Sequence, residues 1–269
     1  MTMTRKRLLD EMGLSPHWRL REHPAIVRRV ASVVAPAAQP TATDKPLAEP
    51  ALPAIGDALG ARPEAAPGAT MGERAQAIAR MDWSELRRSI TACTACPLCA
   101  ERQQAVPGVG DEAANWLFIG EGPGAEEDAR GEPFVGPAGK LLDAMLAAIA
   151  LERGKDVYIT NAVKCRPPAN RAPLAEEIAA CAPYLRRQMS LLAPKLIVLL
   201  GRAAAQAVLG ASGSLASLRG ETFAYHDGEQ TIQVLVTYHP AYLLRTLPDK
   251  AKAWEDLCRA RALMDTNAD

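Results

Sequence analysis

The sequence is poor in aromatic residues and has no excess of charge of either sign. Phe, Trp and Tyr make up 4% of the 269 residues, so each aromatic side chain in a loop counts for more as a candidate ligand contact. Lysine and arginine together number 31, as do aspartate and glutamate, which gives a formal net charge of zero. The chain as a whole is therefore not a polycation, and any nucleic-acid site must be a local patch.

Long hydrophobic runs are also absent. No apolar run reaches the roughly 18 residues of a membrane span. Near the N-terminus, Leu8 and Leu9 are followed at once by Asp10 and Glu11, so the hydrophobic region of a secretory signal is missing. We therefore expect a cytoplasmic protein with no membrane association. Six cysteines in that compartment indicate metal or redox chemistry rather than a disulfide framework.

Composition divides the chain into three parts. Residues 1–30 mix basic and apolar residues and predict a tail, with a short helix, that is either simply solvated or docks a protein partner. Residues 31–72 are rich in alanine and proline and have no periodicity, which predicts a disordered linker. Residues 73–269 are expected to form the folded domain.

Apolar runs alternate with amphipathic segments along the folded domain. Strands are predicted at 116–121, 157–163, 196–200 and 232–237. Helices are predicted at 82–86, 137–150, 173–192, 202–209 and 250–264. Strands separated by helices predict an α/β fold with a parallel sheet covered on both faces.

The loop after the first predicted strand reads Gly120-Glu121-Gly122-Pro123-Gly124. Its glycines allow a flat ligand to approach the backbone, and it lies at a strand's carboxyl end, where open α/β sheets bind ligands. The same residues fit a dinucleotide-binding fingerprint in form. That fingerprint requires an acid at the end of a second strand, whereas Asp143 falls in a helix pattern, so a nucleotide cofactor is disfavoured. A loop that serves only as a turn is the other alternative.

Three predicted strand ends carry one polar residue each: Glu121, Asn161 and His239. Because the carboxyl ends of parallel strands meet at one edge, these side chains are expected to converge. Asn161 offers a donor and an acceptor for the edge of an amide-like ring, and His239 can stabilise negative charge. Glu121 can hold a water, and Phe134 can stack on a base. Together these residues predict a pocket for a flat heterocycle.

The cysteine spacing predicts a metal site. Cys93 and Cys96 form a close pair in a polar, turn-like segment, and Cys165 and Cys181 follow as distant single residues. One pair with two singles is the count for a tetrahedral thiolate site. Cys99 competes as a ligand, and spacing alone does not separate zinc from an iron–sulfur cluster. The alternative of a buried apolar cysteine suits Cys258 but fits Cys93 and Cys96 poorly.

Four motifs, in order, resemble the iron–sulfur, family-four uracil-DNA glycosylases over residues 90–263. They begin at Gly120, Pro133, Tyr158 and His239 and read GEGPGAEED, PFVG, YITNAVKCRPP and HPAYLLR. The resemblance implies a three-layer αβα sandwich with a four-stranded parallel sheet. It also implies a 4Fe–4S cluster on Cys93, Cys96, Cys165 and Cys181.

The resemblance further implies a role for each matched residue. Phe134 would stack on uracil, Asn161 would read its edge, and His239 would contact the leaving base. Glu121 and Gly122 would line the water side, and Glu127 matches another acid of the pocket. Residues expected at DNA are the wedge and phosphate contacts Leu243, Leu244 and Arg245, and a basic patch of Arg166, Arg171, Lys164 and Arg219.

The activity that the resemblance implies is removal of uracil from single- or double-stranded DNA by a monomer. No lysine stands in these motifs as a Schiff-base nucleophile, so hydrolysis without strand cutting is expected. The segment 164–171 lacks the basic, histidine-bearing insertion of a relative that traps uracil covalently, so turnover is expected. The alternatives are a uracil- or DNA-binding module that recruits repair or polymerase partners, and a zinc-stabilised hydrolase of free nucleotides.

Overall fold

The computed structural model describes residues 71–211, 213–227 and 230–266. The predicted tail at 1–30 lies outside these ranges, as does the predicted linker up to residue 70. The first described helix, α1, spans Met71–Ile78 and so begins inside the last two residues of the predicted linker.

Helices and short strands alternate through the described ranges. After α1 the helices are α2 Trp83–Thr91, α3 Ala125–Arg130, α4 Pro137–Ala148, α5 Ala175–Leu192, α6 Arg202–Leu209, α7 Leu215–Leu218, α8 Pro240–Leu243 and α9 Lys250–Thr266. The strands are β1 Val109–Gly110, β2 Trp116–Gly120, β3 Val157–Asn161, β4 Leu196–Leu200, β5 Thr222–Asp227 and β6 Gln230–Thr237. Within these ranges, no helix combines the length and apolarity needed to cross a membrane.

The sheet has six strands in the order β1-β3-β2-β4-β6-β5. The four inner strands are parallel and correspond to the four predicted ones. The prediction of a purely parallel, four-stranded sheet is wrong at the edges, where β1 and β5 pair antiparallel. Strand β1 is only two residues long, and β5 alternates exposed and half-buried residues rather than forming a continuous apolar run. Edge strands covered on one face have this alternating pattern.

The two faces of the sheet carry separate helical layers, as predicted. Trp116 and Phe118 of β2 point to the face covered by α4 and α9. Leu117 and Ile119 point to the opposite face, covered by α5 and α6. This alternation follows from the two-residue period of a strand, and since both faces are covered, every residue of β2 is buried.

The register brings the carboxyl ends of the inner strands to one level. Gly120 at the end of β2 pairs with Asn161 at the end of β3, and Leu200 of β4 pairs with Thr237 of β6. From β2 the chain crosses to β3 on one side, and it then returns to β4 on the other side of β2. Such a reversal opens a crevice above the strand ends, which is where α/β sheets bind ligands.

Candidate functional site

A cavity of about 740 Å³ lies at this edge of the sheet. Its walls include the three polar residues predicted from the strand ends, which are Glu121, Asn161 and His239. The structure therefore brings together groups that are as far apart in sequence as β2 and β6. Further predicted site residues that line the cavity are Gly122, Glu127, Phe134, Arg171 and Arg245.

Asn161 ends β3 with its side chain almost fully buried, at 1% exposure. Its Oδ1 atom is buried and has no hydrogen-bond partner in the described ranges. A buried amide oxygen without a partner is costly unless a ligand completes it. The Nζ of Lys164 donates to the backbone carbonyl of Asn161 at 2.7 Å, which fixes the end of the strand while leaving the amide free for a ligand.

Gly120, opposite Asn161, was not predicted as a site residue, but it provides the space for this arrangement. A Cβ atom built on Gly120 would lie 2.4 Å from Oδ1 of Asn161 and 2.5 Å from Cζ of Phe134. Any larger residue at position 120 would therefore clash with both the Asn161 amide and the Phe134 ring, which lie close to the end of β2. The clue in the sequence was its position, because Gly120 is the last residue of the apolar run.

His239 presents one ring nitrogen to the protein and the other to the cavity. Its Nδ1 accepts a hydrogen bond from the backbone N–H of Ala241 at 3.2 Å, so Nδ1 carries no proton. Nε2 is buried and has no partner among the described residues. Burial, followed by the nearby charge of Arg245, lowers the pKa of His239 to about 4. The imidazole is thus neutral near pH 7 and carries its proton on Nε2, as a hydrogen-bond donor without a partner in the ranges described, on a residue that lines the cavity.

Phe134 forms the cavity wall next to His239. The two ring centroids are 5.4 Å apart and the ring planes are tilted by 31°. The Phe134 side chain is buried, and its backbone has a φ of 56°, which bulky residues rarely adopt. An apolar ring beside unpartnered polar atoms suits a flat, polar-edged ligand.

Glu121 in the loop and Glu127 on α3 differ in their surroundings. Burial raises the pKa of Glu121 above its usual 4.5. Glu127 instead accepts backbone hydrogen bonds on both oxygens, from the N–H groups of Gly124, Val135 and Gly136 at 3.1, 2.9 and 3.0 Å. Glu127 therefore joins two loops of the cavity wall, and its carboxylate is already occupied.

The predicted basic patch is only partly available. Lys164 is 1% exposed, and Arg219 pairs with the buried Asp256 at 2.7 Å, so neither offers a free surface charge. Arg171 lines the cavity but is paired with Glu177 at 2.6 Å. Arg245 lines the cavity and is exposed. Lys164, Arg171 and Arg219 were expected to carry free surface charges. Sequence alone does not reveal that a side chain will be buried or which carboxylate will pair with it.

Residues just after His239 were predicted to contact DNA, and the structure separates them. Leu243 is 1% exposed and packs in the core with residues of α4 and α9, so its side chain offers DNA no surface in this structure. Leu244 is 42% exposed. The reason is helical geometry, because Leu243 ends α8 and Leu244 follows it with a helical backbone, so the two side chains point in different directions. Arg166 lies outside the cavity wall and donates to Asn170 at 2.7 Å.

Three of the four predicted cysteine ligands pack around one small apolar cluster that contains Leu98 and Val163: Cys96, Cys165 and Cys181. Cys93 and Cys181 border the adjoining cluster. Burial raises the pKa of Cys165, although the hydrogen bond and the charge of Arg102 oppose this rise. The nearby Cys96 and Cys93 make smaller contributions that raise it. All six cysteines are free thiols, and Cys258 is exposed on α9.

Two arginines donate to the thiols at this site. Nη1 of Arg102 lies 2.9 Å from Sγ of Cys165, and Nη2 of Arg74 lies 3.6 Å from Sγ of Cys93. In the described part of the chain, no three His, Cys, Asp or Glu side chains lie close enough to hold a single metal ion. A four-iron cluster is wider than one ion, so its sulfur ligands stand further apart. Free thiols beside cationic N–H donors fit such a cluster, because its thiolate ligands carry negative charge.

Comparison with known proteins identifies the family of the chain. Residues 107–258 match the family model of the uracil DNA glycosylase superfamily. The chain is 44% identical to a type-4 uracil-DNA glycosylase of Archaeoglobus fulgidus, over 60% of this chain and 82% of the relative. It is 41% identical to a type-4 uracil-DNA glycosylase of Pyrobaculum aerophilum, over 66% and 92%. A third, from Sulfurisphaera tokodaii, is 42% identical over 68% and 84%.

Proposed function

This chain belongs to the uracil DNA glycosylase superfamily, and on that premise we propose that it removes uracil from DNA by hydrolysing the N-glycosidic bond. The observation that carries the proposal is the convergence of Asn161, His239, Phe134 and Glu121 on one cavity. The product is an abasic site, and no lysine stands in the site motifs to cut the strand through a Schiff base.

Recognition of uracil rests on Asn161 and Phe134. The amide of Asn161 pairs with the edge of the base, and its unpartnered Oδ1 accepts the ring N–H of uracil. Cytosine lacks that N–H, so it would leave buried polar groups unpaired, a mismatch that well-built sites reject by up to roughly 10⁴-fold. Phe134 stacks on the face of the extruded base.

His239 acts on the leaving group. Cleavage of the glycosidic bond moves negative charge onto uracil and positive charge onto the sugar. The proton on Nε2 of His239 donates to a uracil oxygen and stabilises the developing anion. The hydrogen bond from the neutral imidazole becomes stronger as negative charge develops on uracil. A neutral imidazole also avoids the cost of burying a cation in the cavity before the reaction begins. Glu121 orients the attacking water and offsets the cationic sugar.

The base must leave the duplex before any of these groups can reach it. Leu244 takes the role of the wedge that fills the vacated space, because it is exposed and directly precedes Arg245, which lines the cavity. Arg245 contacts a phosphate from the cavity wall. Because Leu243 is buried, we assign it neither role.

Cys93, Cys96, Cys165 and Cys181 would hold a 4Fe–4S cluster, with Arg102 and Arg74 donating to ligand sulfurs. Bound there, the cluster supplies structural cross-linking rather than a chemical step. Cys93 and Cys96 before β2, Cys165 after β3 and Cys181 on α5 would be joined through it, which would support the strand end that carries Asn161.

The pH dependence of activity follows from the two titratable groups of the site. Because burial holds the pKa of His239 at about 4, we expect His239 to cause no loss of kcat/KM near 6.5, where an ordinary histidine titrates. As the pH falls, Glu121 protonates first because its pKa is raised above 4.5, and the rate declines with it. Rates measured from about pH 4 to pH 8 test this, since kcat/KM reports the free enzyme. A midpoint near 6.5 that disappears in His239→Gln would contradict the neutral imidazole.

Folding stability should respond to the same histidine. Between its folded pKa of about 4 and its ordinary value of 6.5, only the unfolded chain binds the proton at His239. Stability therefore falls as the pH falls through this window. In His239→Gln this part of the pH dependence should be missing.

Turnover on a uracil-containing, single-stranded oligonucleotide tests the proposed function. With the DNA in excess, we expect several equivalents of free uracil per protein molecule and a strand that stays intact until alkali is added. Binding without release would instead support a recruitment module of the same fold. Release that stops at one equivalent, with DNA attached to the protein, would indicate covalent trapping in place of hydrolysis.

A further inference from the structure

The loop that carries Phe134 is held from both sides by groups of opposite charge. On one side, Oε1 of Glu127 accepts the N–H groups of Val135 and Gly136 at 2.9 and 3.0 Å. On the other side, the guanidinium of Arg153 donates to the carbonyl of Pro133 at 2.9 Å and to that of Phe134 at 2.8 Å. The acid thus takes the N–H groups of the loop and the arginine takes its carbonyls.

Phe134 needs such support because its backbone is strained. Its φ of 56° lies in the left-handed region, where a bulky side chain is disfavoured and persists only when its surroundings enforce it. Its carbonyl is also pressed against the first turn of α4, where a Cβ atom on Gly139 would lie 1.8 Å from the carbonyl oxygen. This backbone conformation places the ring 5.4 Å from that of His239, in the cavity wall.

Arg153 is itself held in place by α4. Its Nε and Nη2 atoms donate to Oδ1 of Asp143 at 3.0 and 2.8 Å, while Nη1 and Nη2 reach the loop carbonyls. Planar forked donors at fixed angles allow one side chain to join a carboxylate and two carbonyls at once, which a lysine ammonium cannot do in the same way. The carboxylate of Asp143 is therefore bound by Arg153. In a dinucleotide-binding site, the corresponding acid would instead bind the ribose of the cofactor.

We propose that Arg153, oriented by Asp143, is a positioning residue that holds Phe134 in the strained conformation needed to stack on the extruded base. The inference rests on the proposed function, because it assigns Arg153 to the same cavity. Arg153 does not line that cavity, so its effect on the base passes through Phe134. Nothing in its sequence surroundings, Leu151-Glu152-Arg153-Gly154, indicates such a role.

A double-mutant cycle between Arg153 and Phe134 tests the proposal. Uracil release by wild type, Arg153→Met, Phe134→Ala and the double variant is measured as kcat and KM, with inhibition by free uracil as a second readout. We expect Arg153→Met to lower kcat/KM by about tenfold and to weaken inhibition by uracil in parallel. In the Phe134→Ala background the same substitution should have less than about a twofold effect, because coupled residues are not additive.

Three further variants separate positioning from general stability. Arg261→Met removes an exposed ion pair with Asp265 on α9 and should leave both readouts unchanged. Asp143→Asn should shift both readouts in the same direction as Arg153→Met, but less. Arg153→Lys should restore only part of the loss. Asp143→Asn and Arg153→Lys also keep the test decisive if Arg153→Met fails to fold.

Two results would overturn the positioning role in an active wild-type protein. One is an equal loss from Arg153→Met with and without the Phe134 ring. The other is unchanged inhibition by free uracil in a variant whose rate has fallen. A wild-type protein that releases no uracil at all would contradict the proposed function instead, so the two failures are distinguishable.

Discussion

Replacing His239 with alanine is expected to lower the rate of uracil release by about 10²- to 10³-fold, the usual cost of losing one donor to a developing anion. The geometry explains why the loss should be large. Nε2 of His239 is buried and lacks a partner among the described residues, and the backbone N–H of Ala241 fixes the tautomer that donates. The loss should fall on kcat more than on KM, because the hydrogen bond strengthens only as the bond to the sugar breaks.

A histidine elsewhere on the sheet gives a matched control. His226 lies exposed on the edge strand β5 and contacts Thr231, so His226→Ala should leave the rate unchanged. Single-turnover release from a uracil oligonucleotide compares the two variants directly. Equal activity in His239→Ala and wild type would mean that another group stabilises the leaving base.

Replacing Cys165 with alanine is expected to yield a colourless protein whose free energy of unfolding is lower by more than about 2 kcal/mol. Cys165 is 6% exposed and lies four residues after Asn161, on the loop that leaves β3. With one ligand gone, the segment around Cys93 and Cys96 loses its connection to that loop. Iron analysis measures the loss of the cluster, the visible absorption band measures the loss of colour, and thermal unfolding measures the loss of stability.

The other cysteines supply the controls for this experiment. Cys258→Ala, on the exposed side of α9, should keep its iron and its stability. Cys99→Ala tests whether the cysteine beside the pair takes part in binding. A brown and fully stable Cys165→Ala variant would remove Cys165 from the ligand set, and zinc in place of iron in the wild type would refute the cluster.

Local sequence signals were enough to predict the inner strands of the sheet and the strand ends that carry the site residues. The run Leu196–Leu200 was predicted with the bounds that the structure has, because a strand buried on both faces is continuously apolar. Asn161 and His239 were expected to meet because parallel strands end at one edge, and they do line one cavity. Such inferences need only chain order and the handedness of the connections.

Contacts between distant segments were the part that sequence could not supply. Lys164 was expected in a basic patch, yet it is buried and donates to Thr160 and Gln188 as well as to Asn161. Glu127 was expected as a pocket acid, and its carboxylate is occupied by backbone N–H groups. Arg153 was not expected at the site at all. In each case the partner lies on another element, so only folding reveals which charges are free.

The measurement that tests the central claim most directly is the amount of free uracil released from one oligonucleotide by wild type, Asn161→Ala and His239→Ala in parallel. The wild type should release many equivalents and leave abasic sites. Both variants should release far less under the same conditions, while all three show the same iron content. If the three proteins released equal amounts, or if the wild type released none, the cavity at the ends of β2, β3 and β6 would not be the place where uracil is removed.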